Sequence, residues 1–253
     1  MFYWRSGPRS DDPTGAAARD GIDLAFTGRS SGEGREPYDG LNLGGHVGDD
    51  PAAVESNRLA LAREVGVTRE RLLFMNQVHG TDVVEVDGPW SGEPPRADGI
   101  VTRSTGLALA VLVADCVPVL LHDAEAGVVG AVHAGRPGMV GGIVPRAVEA
   151  MRDLGARRVH AAVGPSVCGR CYEVPADMAR IAASVTPAAA ARSWHGTPAV
   201  DVAAAVVEQL AGAGVEVEWV PGCSREDPDL YSYRRDGTTG RFAGVVVRRE
   251  VTA

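Results

Sequence analysis

The chain has 253 residues, with 25 Lys+Arg against 33 Asp+Glu and a formal net charge of −8, and every basic residue is an arginine. Its 45% hydrophobic and 23% charged content excludes a disordered chain and fits a globular protein that needs no disulfide scaffold to bury a core. An acidic chain with no basic run is a poor match for phosphate backbones or anionic membrane surfaces, so neither nucleic acid nor membrane is expected as a partner.

Residues 1–20 mix Pro, Gly, Ser and charge, show no secretory leader pattern, and read as a loose or edge-lying start of a cytoplasmic protein. Ile22–Thr27 predicts a strand and Gly28–Tyr38 a loop. Asp50 suits a helix N-cap and Pro51 the first helical position, while Val54, Leu59, Leu61 and Val65 give an apolar face and Gly66 a stop. From Leu72 onward, short apolar runs divided by turn residues predict strands at Leu72–Val78, Val83–Val86, Gly99–Val101, Leu107–Ala114, Val117–His122 and Val128–His133. The run 107–114 is apolar at every position, as in a strand buried on both faces, and is far short of the about 20 residues that span a bilayer. Gly138–Leu154 predicts a helix, Val159–Val163 a strand, Pro175–Ser184 and Val200–Ala211 helices, and Val215–Val220 and Ala243–Glu250 strands. Strands cluster in the middle with helices before and after, and no linker or repeat interrupts them. The expectation is one α+β domain over residues 1–253.

Three predicted strands end on residues able to bind a soft metal or to act as nucleophile or base. Leu72–Val78 runs into His79, Leu107–Ala114 into Asp115-Cys116, and Val128–Val132 into His133. A single histidine or cysteine at such a place is most often a satisfied cap or a small apolar filler. Repetition at three strand ends is what marks these. Two imidazoles and one thiolate make an ordinary zinc set, and three protein ligands leave a fourth tetrahedral position open. Elsewhere, Cys168-Gly169-Arg170-Cys171 is a C-x-x-C with no second such pair, for which loop packing is the expected use. Gly40–Gly48 is glycine-rich ahead of a helix start but lacks the Lys-Ser/Thr of a phosphate loop. Arg234-Arg235, beside Tyr231 and Tyr233, could clamp a carboxylate or phosphate. No G-x-S-x-G supports a serine hydrolase.

Taken together, Leu41-Asn42-Leu43, Val47-Gly48-Asp49-Asp50, Asn76-Gln77-Val78-His79-Gly80, Ala97-Asp98-Gly99, Ala114-Asp115-Cys116-Val117-Pro118, Val132-His133-Ala134-Gly135, Gly164-Pro165-Ser166 with Cys171-Tyr172-Glu173-Val174, and Ser232-Tyr233-Arg234-Arg235-Asp236 form an ordered set. From about Ile22 to the end, this set resembles the YfiH-like laccase-domain family, also described as purine nucleoside phosphorylases or peptidoglycan editing factors. The resemblance implies an α+β domain of layered mixed sheets flanked by helices, with one Zn2+ per chain on His79, Cys116 and His133. It implies phosphorolysis of adenosine, inosine, guanosine and methylthioadenosine, and deamination of adenosine. The partners are then purine nucleosides and phosphate, and the protein a monomer or small homo-oligomer. The chain departs from the family at His133-Ala134-Gly135-Arg136-Pro137-Gly138, where the usual reading is His-Ala-Gly-Trp-Arg-Gly. An indole face for a base is lost, an Arg able to meet phosphate sits one position early, and Pro137 removes a backbone donor.

On this reading a Lewis-acidic metal polarises water for attack at C6 of adenine, or phosphate for attack at C1′ of the ribose. Asp115 is expected to orient a metal ligand or shuttle a proton, and Asn42, His46, Arg58 and Arg136 to contact substrate or phosphate. Two alternatives stand beside it. One is a metal-independent amide hydrolase editing miscoupled peptidoglycan precursors, with Cys116 as nucleophile and His133 or His79 as base. The other is a non-enzymatic zinc-binding module whose metal is closed off by a fourth ligand such as Cys168 or Cys171. Copper is less favoured, because several coppers need more clustered His, Cys and Met than the chain offers.

Overall fold

The all-apolar segment Ala108–Val113 is a strand with every residue buried, and the layers on either side of it explain the pattern. In the computed structural model, which describes residues 1–6 and 21–249, Leu109 and Val111 enter one apolar layer while Ala108, Ala110 and Leu112 enter another. Two sheets create these layers. With strands numbered in chain order, the first sheet runs β1 (Phe2–Ser6), β2 (Ile22–Thr27), β13 (Phe242–Arg248), β6 (Ala108–Val113), β3 (Leu72–Phe74). The second runs β12 (Glu216–Trp219), β9 (His160–Val163), β7 (Val117–Asp123), β8 (Val128–Ala134), β5 (Gly99–Thr102), β4 (Val83–Glu85). A separate ribbon pairs β10 (Ala190–Arg192) with β11 (Pro198–Val200). The pairs β3 with β6, β4 with β5 and β9 with β12 are parallel, so both large sheets are mixed.

The sheets face each other: Leu24, Phe26 and Val246 of the first meet Ile100, Leu120 and Val129 of the second. The helices are α1 (Pro51–Glu64), α2 (Arg136–Gly141), α3 (Ile143–Asp153), α4 (Ala176–Val185), α5 (Val202–Gly212) and α6 (Tyr233–Asp236). The end of α1 covers the outer face of the first sheet through Leu61, Ala62 and Val65. Ile143, Ala147 and Met151 of α3, with Val206 and Leu210 of α5, cover the outer face of the second against Val119, Leu121 and Val132. This helix–sheet–sheet–helix order is the expected α+β domain of layered mixed sheets. No helix among the described residues is long and apolar enough to cross a membrane.

The local differences have physical causes. Residues 2–6 form an edge strand on β2 where a loose or edge-lying start was expected; residues 7–20 and Glu250 lie outside the described residues. Asp50 caps α1 as expected, its Oδ1 accepting from the Ala52 N–H at 2.9 Å, but Leu59 is 37% exposed and not part of the core. The helix expected over 138–154 begins earlier and breaks at Gly142, whose φ of 88° ends α2 before α3 starts. Pro198–Val200 pairs as strand β11, so α5 begins only at Val202, after its N-cap Asp201. The strand expected over 72–78 stops at Phe74. Gln77 replaces the missing ladder with its side chain: Nε2 donates to the Leu112 carbonyl at 2.7 Å, and Oε1 accepts from the Leu112 N–H at 2.8 Å. That clamp holds residues 75–80 against β6 while their backbone turns away from the sheet.

Candidate active site and metal centre

The chain crosses from the first sheet to the second in the short turn between β6 and β7, and Cys116 sits in that turn. Register then decides its neighbour, because Pro118 pairs with His133 near the end of β8. The loop after β3 adds His79. One ligand atom from each of His79, Cys116 and His133 lies within 4.8 Å of the others. His79 Nε2 is 3.6 Å from Cys116 Sγ, and the two imidazoles meet edge to face with centroids 4.7 Å apart. Gly135 permits this approach: a Cβ there would come within 2.6 Å of His79 Cδ2 and 3.1 Å of Cys116 Sγ. His79 and Asp115 both hold positive φ, 60° and 93°, conformations a non-glycine residue adopts at a cost that functional sites carry.

Asp98 organises the centre from behind, and the sequence did not single it out as a site residue. Its fully buried carboxylate accepts from His133 Nδ1 at 2.7 Å and from the backbone N–H groups of His79 at 2.9 Å, Gly80 at 2.6 Å and Val78 at 3.2 Å. One residue thus fixes the His133 tautomer, leaves its Nε2 free for the centre, and holds the loop that carries His79, a carboxylate–histidine relay common behind metal ligands. Burial pushes the Asp98 carboxyl up, but His133 and these N–H groups outweigh it and hold it below its ordinary range.

The same balance of burial and charge governs Cys116. Burial alone would raise the thiol; the charge and hydrogen bond of His133, then His79, bring it down to about 6. His133 is the mirror image: burial lowers it, and Cys116 and Asp98 raise it to about 9. Between these values a metal-free site holds a thiolate–imidazolium pair. Its consequence is measurable. In metal-stripped protein, iodoacetamide is expected to alkylate Cys116 well ahead of Cys171 at pH 7, with the Cys116 rate levelling above pH about 6, followed by peptide mass mapping. Equal rates at the two cysteines would contradict the pairing.

A cavity of about 550 Å³ opens over the three residues, within the range of small-molecule sites. Of the residues expected to touch substrate, His46 and Arg136 line it. Arg136 starts α2, and Pro137 falls in its first turn, where no helical acceptor exists for the donor it lacks, so the His-Ala-Gly-Arg-Pro departure is accommodated. Asn42 and Arg58 do not line the cavity. Asn42 is fully buried and structural, donating to Asp49 Oδ2 at 2.8 Å and accepting from the Gly44 and Arg241 N–H groups at 2.9 and 2.8 Å. Arg58 donates to the Leu43 carbonyl at 2.9 Å and lies over the Phe74 ring at 4.4 Å. Asp115 lines the cavity, but its carboxylate is engaged by Ser224 Oγ at 2.7 Å, Ser232 Oγ at 2.6 Å and the Arg234 N–H at 2.6 Å. It anchors loops beside Cys116, while Asp98 orients His133.

Part of the Arg234-Arg235 and Tyr231, Tyr233 group considered as an anion clamp reaches the cavity, beside two side chains not expected there, Tyr172 and Arg241. Tyr172, Tyr233, Arg234 and Arg241 line it, with the Arg234 guanidinium 5.0 Å above the Tyr172 ring. Arg235 goes elsewhere, donating to the carbonyls of Ser224, Asp227 and Leu230. Cys168 and Cys171 do not join the centre but a separate group with Cys223 and Glu226. The closed-site alternative therefore loses its suggested fourth ligand, and the position over His79, Cys116 and His133 faces the cavity.

Residues 23–249 match the family described as multi-copper polyphenol oxidoreductase laccase. A Streptomyces coelicolor protein named purine nucleoside phosphorylase is 56% identical over 230 residues, 89% of this chain and 95% of that protein. The crystal structure of YlmD from Geobacillus stearothermophilus superposes with a TM-score of 0.85 at 33% identity, covering 93% of this chain and 95% of that one. Bacillus licheniformis YfiH gives 0.82 at 25% identity, over 90% and 93%. The match across both sheets and all three site segments places the chain in this laccase-like, YfiH-containing family, whose members include proteins named purine nucleoside phosphorylase.

Proposed function

We propose that the chain is a zinc-dependent purine nucleoside phosphorylase acting on adenosine, inosine, guanosine or methylthioadenosine, with adenosine deamination as a second reaction of the same site. The observation that carries this reading is the opening of His79, Cys116 and His133 onto a nucleoside-sized cavity lined by Arg136, Arg234 and Arg241 together with Tyr172 and Tyr233. The naming of relatives up to 56% and 57% identical supports it.

The donor set fits a metal. Sγ and the free imidazole nitrogens converge within 4.8 Å, the Asp98 hydrogen bond turns His133 Nε2 toward them, and Gly135 leaves the space. Two imidazoles and a thiolate also serve mononuclear copper electron-transfer sites, and the family's description names copper. The arginine-lined cavity favours zinc, since electron transfer has no need of it. His46 is the one further histidine lining that cavity, too few for several coppers. Zinc bound here would supply Lewis acidity toward a phosphate or water oxygen without redox chemistry.

The chain's own residues supply the rest. Arg136, Arg234 and Arg241 offer donor-only cations to phosphate. Tyr172 and Tyr233 offer flat faces to a purine, taking over from the absent indole, and Tyr172 also steadies the Arg234 guanidinium. Burial, with the charges of Arg241 and Arg58, holds His46 below its ordinary pKa, so it is neutral at pH 7 and able to accept or donate one hydrogen bond. Met75, Leu112 and Val113 make the wall apolar.

The test is zinc-loaded protein with adenosine in phosphate buffer, products separated by chromatography. Adenine with ribose 1-phosphate reports phosphorolysis, and inosine reports deamination; neither product in the presence of bound zinc defeats the proposal. Arg234→Ala sharpens it. A charge-assisted hydrogen bond is worth about 1.5–3 kcal/mol, so KM for phosphate should rise roughly 10- to 150-fold with bound metal unchanged. An unaltered phosphate KM would remove Arg234 from that role.

One observation favours a second reading. Asp98, His133 and Cys116 stand in the order of an acid–base–thiol relay, with the Cys116 thiol already depressed to about 6. That arrangement suits thiol attack on an amide, such as a miscoupled cell-wall precursor. Chelation separates the two: removing metal would silence phosphorolysis but release a thiol hydrolase.

A further inference from the structure

Away from the catalytic cavity, three of the chain's four cysteines converge with a glutamate, and the function proposed above has no use for them. We propose that Cys168, Cys171, Cys223 and Glu226 form a second metal site, a closed structural zinc site that braces the wall of the catalytic cavity. Four observations carry this.

The first is convergence. Three sulfurs and a carboxylate oxygen lie within 4.8 Å of one another, and Zn–S bonds of about 2.3 Å put tetrahedral sulfurs about 3.8 Å apart, so a small contraction encloses an ion. The second is spacing. Cys168-x-x-Cys171 does have a partner pair of the same spacing, whose second member is acidic: Cys223-x-x-Glu226. Both pairs sit on tight turns of one kind, with the Cys171 N–H donating to the Cys168 carbonyl at 2.9 Å and the Glu226 N–H to the Cys223 carbonyl at 3.0 Å. Two such turns facing each other present four ligands to one point, the geometry of short-spaced zinc sites.

The third is support around the ligands. The Cys168 N–H points to Cys223 Sγ at 3.4 Å, and Trp194 Nε1 and Cys171 Sγ both reach Glu226 Oε1, at 3.1 and 3.3 Å. Such donors orient thiolates and carboxylates for a metal. The fourth is access: Cys168, Cys223 and Glu226 line an open surface cleft bordered by Trp194 and Trp219, which gives an ion a way in. Three thiolates and one carboxylate in a four-ligand set select a soft d10 cation, zinc before any hard ion.

The position says what the ion would do. The two turns are already joined beside the ligands, with the Ser224 N–H donating to the Ser166 carbonyl at 3.0 Å. Ser224 also holds Asp115 Oδ1, and the Val167 N–H donates to the Asp115 carbonyl at 3.0 Å. A zinc here pins two of the loops that hold Asp115, the residue next to Cys116.

The experiment counts metal in the full chain, reduced, reloaded with zinc and desalted. Wild type should hold two zinc per chain, and His79→Ala with Cys116→Ala should keep one. Cobalt in that double variant should give thiolate charge-transfer and intense tetrahedral d–d bands. Cys168→Ser with Cys223→Ser should remove one zinc from wild type. Should that variant not fold, protection of the three thiols from a thiol reagent in the zinc-loaded double variant, lost on chelation, reads the same site. A His79→Ala, Cys116→Ala variant that holds no zinc, a Cys168→Ser, Cys223→Ser variant that keeps the full wild-type zinc content, or a disulfide among Cys168, Cys171 and Cys223 in the reduced protein would each overturn the proposal. None of these outcomes depends on nucleoside turnover.

Discussion

Cys116→Ala is expected to fold, to lose the metal held with His79 and His133, and to lose phosphorolysis by about a thousandfold or more, equivalent to about 4 kcal/mol of transition-state stabilisation. The fold should survive because Cys116 is half-buried in a turn and packs only at the edge of a small cluster around Leu230, Tyr231 and Phe242. The metal should not, because two neutral imidazoles alone make a poor zinc site once the anionic ligand is gone. His133 would also lose the partner that does most to raise its pKa, leaving Asp98 alone to favour its proton against burial. The measurement is initial rate with adenosine and phosphate alongside metal content. Retained metal with a rate within about tenfold of wild type would show that the thiolate neither holds the metal nor takes part in turnover. Loss of rate with metal retained would show that the thiolate takes part in turnover without being needed to hold the metal.

What the sequence made legible follows from how locally each feature is encoded. Ala108–Val113 was readable as a doubly buried strand because its residues must satisfy two apolar layers at once. His79, Cys116 and His133 were readable because each follows an apolar run, even though 37 and 17 positions separate them and the fold joins them by the register of Pro118 with His133 and by the Gln77 and Asp98 contacts of the His79 loop. The ordered motifs then tied them to a family, and residues 23–249 match it.

What the structure adds to this reading rests on contacts that only the fold brings together. Asn42 and Arg58 were plausible substrate contacts as isolated polar residues near a glycine-rich loop, but the fold spends them on the carbonyls and N–H groups of that loop and of Arg241. Asp98 looked like part of a motif and nothing more, because its role depends on four donors from two other segments. Gln77 ended a predicted strand early for a similar reason, substituting a side-chain amide for backbone pairing with Leu112. Cys168-x-x-Cys171 has no second cysteine pair in the sequence, and the fold sets one cysteine and one glutamate beside it.

Asp98→Asn is the second large effect, and it separates positioning from ligation. Asn keeps the shape but replaces one acceptor oxygen with an NH2 donor, and the oxygen at risk, Oδ2, now faces the N–H groups of Gly80 and Val78. Donor would meet donor in a fully buried place. Breaking a buried, hydrogen-bonded charge pair costs about 3–5 kcal/mol, which for a chain of this length lowers Tm by roughly 6–20 °C. Metal affinity should fall about 10- to 100-fold, as for other partners of a ligating histidine, while the ligands themselves are untouched. The pH dependence gives the signature. The depressed Asp98 carboxyl contributes stability that is present above the ordinary carboxyl pKa of about 3.9 and is lost as pH falls through its lower folded value. The raised His133 contributes stability that is full below its ordinary pKa of about 6.5 and lost as pH rises through about 9. In metal-free protein the Tm gap between wild type and Asp98→Asn should therefore be widest between about pH 4 and 6.5 and narrow toward pH 9. A gap that stays flat across that range would mean the carboxylate acts only by holding the 78–80 backbone, without the charge it lends to His133.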